Sequence, residues 1–222
     1  MTDRRRQIVD SVLAQRQPDL TVLAERLHKP RNFSAIVRTC DAVGINEVHA
    51  VPGGDGLSIH WKTSQGAEKW VRVRQHASLL AACAHLRDRG FQLVAAHLDD
   101  AALDYREIDY TVPTALLVGT ELFGVSAAGL EQSDLRVTIP MKGMTQSLNV
   151  SVACAIVLYE ALRQRDAIGL YGRCRLPAGL RDEQRFEWLQ PRLARYCRER
   201  GLAYPEMDDE GRVIGHVPRG SG

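Results

Sequence analysis

The 222-residue chain reads as an α/β protein: a parallel sheet flanked by helices, with short helical extensions at both ends. Three observations predict this class. Apolar β-rich runs of five to eight residues alternate with stretches of helical period through the middle of the chain, the order that a parallel sheet covered on both faces requires. Glycines close two of the helical stretches, as C-terminal glycines do. Hydrophobic and charged contents of 45% and 25% are ordinary for a globular protein, and the length suffices for one substantial core.

Taken in order, residues 4–15 predict a short helix and Leu20–Leu23 a first strand. "FSAIVRTCDAVG" (33–44) places Phe33, Ile36, Val37, Cys40 and Val43 on one helical stripe, with Asn32 at the expected N-cap. "EVHAV" (47–51) and "VRVRQ" (71–75) are strands, and "SLLAACAHLRDRG" (78–90) is a helix ending at Gly90, as the previous one ends at Gly44. Strands at "FQLVAAHL" (91–98), "TALLVG" (114–119) and "LRVTIP" (135–140) enclose a helix at "SAAGLEQS" (126–133). The most apolar helix is expected over 147–165. Beyond Arg165 the periodicity weakens, arginines accumulate and Gly169, Gly172, Pro177 and Pro191 interrupt, which predicts a helical appendage followed from Gly201 by a loose tail. The tail's "VPRGS" resembles a protease-cleavage remnant and carries no functional expectation.

Charge is segregated. Residues 1–31 hold seven Lys/Arg against four acids, 32–162 ten against fourteen, and 163–200 ten against five. Two arginine-rich flanks around an acidic centre favour a nucleic-acid partner, and they equally suit a solvated helix surface with i,i+4 pairs. The five cysteines are widely spaced without a CxxC, so neither a disulfide framework nor a zinc site is expected, and the thiols point to a reducing, cytoplasmic setting. In such a compartment the sequons at Asn32 and Asn149 are not glycosylation sites. No apolar run approaches the roughly 18 residues of a membrane span, and the N-terminus lacks a signal-peptide core.

Phosphate loops, HExxH, GxSxG and paired metal-ligand histidines are missing from the sequence. A nucleotide-like ligand would therefore bind without a conventional phosphate loop, which a cofactor lacking phosphates does not need. Three strand-to-helix junctions, where α/β sheets bind ligands, carry unusual residues. In "KPRNFSAIVRTCDAVG", Asn32 reads as a cap, while Arg38 lies off the apolar stripe; a surface pair with Asp41 is the simpler account of it. In "LLVGTELFGVS", Gly119 and Gly124 let a ligand approach the backbone and Glu121 can accept from an amine; a tight turn with a first-turn glutamate explains the same residues. In "IPMKGMTQSLNVS", Ser147 or Asn149 can cap the last helix, Gly143 permits curvature, and Met141 and Met144 can wall a flat ring.

Together, in order and spacing, these stretches resemble the motifs of the SPOUT superfamily, specifically the SpoU/TrmH family of RNA 2′-O-ribose methyltransferases. The first motif falls on Asn32 and Arg38, the second on Gly119, Glu121 and Gly124, and the third on Ile139–Met141, Gly143 and Ser147–Ser151. The resemblance implies a C-terminal deep trefoil knot, which no general folding rule would supply. It implies S-adenosylmethionine as cofactor, without a metal, held by Ala96, Leu117, Gly119, Ile139, Met144 and Leu148. Arg38, Asn32, Glu121, Ser147 and Asn149 would form the catalytic site. Relatives often carry a lysine after the glutamate, where this chain has Leu122.

The expected division is an N-terminal helical extension (1–18), a catalytic domain (19–165), a basic helical extension (166–200) and a tail (201–222). Short basic ends without a preceding RNA-binding domain resemble the branch that methylates guanosine 18 in the tRNA D-loop. The wobble nucleotide of tRNA, ribosomal RNA, or RNA binding without catalysis are the alternatives. Family members are homodimers through the knot helices, so the helix over 147–165 should be buried on two sides.

Overall fold

A computed structural model describes residues 2–27, 29–53, 69–99, 101–120 and 123–215. It divides into two compact units, Gln17–Leu170 and Met1–Arg16 with Tyr171–Gly222.

The larger unit is a sheet of seven parallel strands: β1 (Leu20–Glu25), β2 (Glu47–Val51), β3 (Arg72–Gln75), β4 (Gln92–Ala96), β5 (Leu103–Asp104), β6 (Thr114–Val118) and β7 (Leu135–Thr138). Their spatial order is β3-β2-β1-β6-β4-β7-β5. The central β1 and β6 are buried at every position and pair in register from Leu20 with Thr114 to Ala24 with Val118. Burial on both faces suits their mostly apolar runs, in which Thr21, Glu25 and Thr114 are the buried polar members. Side chains alternate: Leu20, Val22, Leu116 and Val118 join one apolar cluster, while Leu23, Ala115 and Leu117 join another on the opposite face.

The first face is covered by α2 (Pro30–Ala42) and α5 (Val150–Ala167), which pack against each other, and the second by α3 (Leu79–Arg87) and α4 (Ala127–Gln132). Ser78 and Ser126 cap α3 and α4 through their hydroxyls. Gly44 and Gly90 end their helices at φ +82° and +79°. The strand β5 escapes sequence reading because two residues show no period.

Three expectations need correction in this unit. Asn32 is not an N-cap: α2 starts earlier, at Pro30, whose fixed φ and missing N–H suit the first helical position, so Asn32 lies within the first turn. Helix α5 begins at Val150 rather than 147, with Asn149 as its cap. Arg165, counted in the basic flank, is wholly buried: its guanidinium pairs with Asp19 Oδ1 at 2.7 Å and donates to the carbonyls of Tyr110 (2.8 Å), Val112 (2.9 Å) and Asp19 (3.1 Å).

The smaller unit is helical: α1 (Asp3–Ala14), α6 (Ala178–Leu189) and α7 (Pro191–Glu199). Val9, Leu13, Leu176, Phe186, Trp188, Leu189, Ala194 and Cys197 are buried. Arg16 is also buried, its guanidinium 5.3 Å from the Trp188 ring centroid. Residues 201–215 are not a loose tail. Tyr204 stacks on Phe186 and donates to Glu187, Arg185 donates to the carbonyls of Asp208 and Asp209, and Met207 bridges Val213. These contacts run through backbone carbonyls and one aromatic pair, which leave no periodic trace. The VPRGS segment lies outside the described residues.

All five cysteines are free, and only Cys174 is exposed. No helix among the described residues is long and apolar enough to cross a membrane.

Candidate active site

The C-terminal ends of β4, β6 and β7 open into a cavity of about 340 Å³. Ala96, His97 and Leu98 border it from β4, Val118, Gly119 and Thr120 from β6, and Thr138 and Ile139 from β7. Met141, Gln146, Ser147 and Leu148 close it from the loop that follows, and Val150, Ala153 and Val157 from α5. Ligands of open α/β sheets bind at such carboxyl-terminal edges. The described lining contains neither lysine nor arginine. Aliphatic side chains, hydroxyls, the Gln146 amide, the His97 imidazole and the Phe123 ring make up the wall, which without lysine or arginine suits a nucleoside ligand lacking a polyphosphate.

The β6 loop shows why glycine is needed twice. Thr120 N–H donates to Gly124 C=O (2.8 Å) and Gly124 N–H returns to Thr120 C=O (2.9 Å), so the segment folds back on itself as a closed loop. A Cβ on Gly119 would stand 1.9 Å from the Gly124 carbonyl oxygen. Gly124 itself has φ +67°, a conformation that strains other residues. The buried Glu25 carboxylate braces this loop by accepting from Ser126 N–H at 3.0 Å.

The first and third sequence stretches meet. Asn149 Nδ2 donates to Asn32 Oδ1 (3.2 Å), while Asn149 Oδ1 accepts from Ser151 N–H (2.8 Å) and from the Ser151 hydroxyl (2.6 Å). One amide therefore caps α5 and ties it to the first turn of α2. Asn149 lies between the cavity-lining Leu148 and Val150, so the pair sits at the cavity's border. Arg38 is exposed on α2. Asn32, Arg38 and Asn149 are not among the described lining residues, and Glu121 lies outside the described residues. The adjacent Cys154 is wholly buried, and that burial pushes its thiol up to about 12, which makes it an inert core residue.

Of the expected cofactor residues, Ala96, Gly119, Ile139 and Leu148 border the cavity. Leu117 does not: alternation along β6 turns its side chain into the opposite cluster. Met144 does not either; it is 100% exposed, and Met141 supplies the apolar wall instead. Sequence reasoning missed His97, Thr120, Thr138 and Gln146. The rule that residues just past strand C-termini line the site would have found the first two, and Thr138 is the last residue of β7 itself.

Residues 19–159 match the SpoU rRNA Methylase family, and residues 163–216 match the family's C-terminal segment (SpoU, rRNA methylase, C-terminal). The chain belongs to the SpoU rRNA methylase family. Among its SpoU relatives, it is 47% identical over 204 residues to an Escherichia coli protein named tRNA (guanosine(18)-2′-O)-methyltransferase, covering 91% of this chain and 89% of that one. It is 51% identical over 189 residues to a Thermus thermophilus protein of the same name, covering 85% and 97%. The crystal structure of the Aquifex aeolicus TrmH/SpoU tRNA modifying enzyme superposes with a TM-score of 0.77 at 42% identity, over 83% of this chain and 94% of that one. The SpoU methyltransferase AviRb from Streptomyces viridochromogenes, in complex with AdoMet, superposes with a TM-score of 0.60 at 28% identity, over 69% and 62%.

Proposed function

We propose that this SpoU methylase transfers a methyl group from S-adenosylmethionine to the ribose 2′-hydroxyl of guanosine 18 in tRNA. The observation that carries this reading is the cavity without lysine or arginine in its described lining, bordered by Gly119, Gly124, Ile139, Met141, Ser147 and Leu148 of the second and third stretches. Identity of 47–51% to relatives named for that reaction supports the substrate.

S-adenosylmethionine supplies, when bound, a sulfonium-activated methyl group, so the chemistry asks for no metal. Ile139, Met141 and Leu148 offer apolar surface for an adenine ring, and Gly119 keeps backbone accessible beside it. Ala96 borders the same pocket. Ser147 presents a hydroxyl at the mouth. The chain's own task is to place the ribose and dispose of its proton. Arg38, exposed on α2, engages the 2′-hydroxyl and the neighbouring substrate phosphate. Because a guanidinium is a very poor base, that phosphate must either weaken its hold on the proton or accept the ribose proton itself. Asn32 positions the first turn of α2, and Glu121 orders the β6 loop.

In this reading residues 19–165 are the catalytic domain, with residues 1–18 and 166–200 as basic arms toward tRNA, and the chain after β7 is drawn through the knot of the family. The protein works in the cytoplasm as a homodimer. Val152 and Tyr159 on α5 are 46% and 53% exposed, with the half-buried Ala155 and Ile156 between them, a helical stripe suited to a second α5.

The test is to incubate the purified protein with unmodified tRNA and labelled S-adenosylmethionine and to map methylated riboses. Methylation at guanosine 18, lost in Arg38→Ala while cofactor affinity stays within a few-fold, is the expected result. Label at the wobble nucleotide or only in ribosomal RNA would overturn the substrate, and cofactor binding without transfer would leave an RNA-binding protein of the same fold.

A further inference from the structure

Two strands away from the cavity, in the order β2-β1-β6, the sheet edge holds a cluster that methyl transfer does not use. His49 projects from β2, His76 follows β3, and His85 sits on α3, on the face that helix covers. The three rings lie 5.1, 5.3 and 5.5 Å apart between centroids. His49 Nδ1 is 2.9 Å from His76 Nε2, and its Nε2 lies 3.6 Å from Glu47 Oε1. The ligating atoms of Glu47, His49 and His85 are all within 4.8 Å of one another. His85 Nε2 is buried and has no hydrogen-bond partner among the described residues.

An orphaned buried nitrogen is costly and calls for an explanation. A simple core histidine would find a carbonyl or hydroxyl; here the neighbours offered to it are two further imidazoles. We infer that Glu47, His49 and His85 bind one imidazole-preferring divalent cation of the zinc type, with His76 as the hydrogen-bonded support of His49. A ligating histidine holds its second nitrogen on a partner that fixes tautomer and ring angle, and His76 stands in that place. Zinc–nitrogen bonds of about 2.0–2.1 Å would draw the three ligand atoms together by roughly an ångström, within reach of side-chain rotation. Glu47 also meets Arg74 (3.1 Å) and Arg89 (3.4 Å). Two guanidinium groups beside a single carboxylate disfavour magnesium or calcium, which need several oxygen ligands, and leave ions that gain from imidazole. The ion would staple β2 to α3 and, through His76, steady the end of β3.

Chelator-treated full-length protein is titrated with zinc chloride by calorimetry, with metal content measured after dialysis. One ion per chain is expected, with a raised melting temperature. His85→Ala should weaken binding about 100-fold or more and abolish the thermal shift, with S-adenosylmethionine binding unchanged. His76→Ala should weaken it about 10–100-fold. Cys174→Ser, which removes the exposed thiol, should change nothing. Absence of stoichiometric binding, or equal affinity in His85→Ala, would overturn the site. Should that variant fail to fold, the wild type loaded with cobalt(II) decides: d–d bands of nitrogen/oxygen coordination support the site, while a thiolate charge-transfer band or no bands at all refutes it.

Discussion

Helix α5 begins and ends in different chemistry. At its N-terminus a single neutral amide, Asn149, caps the helix and holds Asn32 beside the cavity. At its C-terminus the buried guanidinium of Arg165 is locked by Asp19 and by carbonyls from three residues of two segments. The near end is assembled from weak, exchangeable bonds where a substrate must be admitted. The far end is rigid and sets where the near end lies. A single hydrogen bond between two amides can reproduce its position only because the rest of the helix is already fixed.

Breaking the far end should therefore have the larger effect. Arg165→Ala strands Asp19 and the carbonyls that the guanidinium serves, and the loss of one member of a buried pair costs about 3–5 kcal/mol. Denaturant unfolding should show it directly, with activity lost in proportion to folded protein. Next comes the middle of the helix. Ala155→Glu places a carboxylate within the exposed apolar stripe and should weaken self-association by about 3 kcal/mol, read by sedimentation at low micromolar concentration. A wild type that sediments as a fully active monomer would remove both the interface and this expectation. Asn149→Ala takes away the near-end cap at a cost of about 1 kcal/mol in stability, yet methyl transfer should fall far more than folding does. Equal losses in both would reduce Asn149 to a cap. The smallest effect belongs to the exposed Arg192 and the neighbouring Arg195 of α7. Changing both to Gln should lower the slope of log affinity for tRNA against log salt by about 2, and an unaltered slope would remove α7 from the tRNA interface.

The same contrast shows what the sequence could disclose. The strands β1 and β6 were legible because both faces are buried, which leaves apolar runs at Val22–Ala24 and Ala115–Val118. The cavity was legible at Gly119 because its backbone demand is written into residue type, while Ile139 and Leu148 were named only through the resemblance to the family's motifs. Arg165 and Arg38 were not distinguishable by charge: one is sealed in the core and the other faces solvent, and only tertiary contacts separate them. Met144 and Met141 are equally apolar, and the path of the loop alone decides which enters the wall. Glu47, His49 and His85 are gathered from β2 and α3, so no linear spacing betrays them; reading single elements hides a cluster built between them.

The register of the sheet carries a further consequence, for synthesis in the cell. The central strand β1 finds its neighbour β6 more than ninety residues later in the chain. At about 5–20 residues per second, a ribosome needs roughly 5–20 s to deliver that partner. During this interval six residues destined for full burial stand with one edge unpaired. The nascent chain is thus exposed to wrong partners for a time fixed by topology and not by the stability of the finished fold.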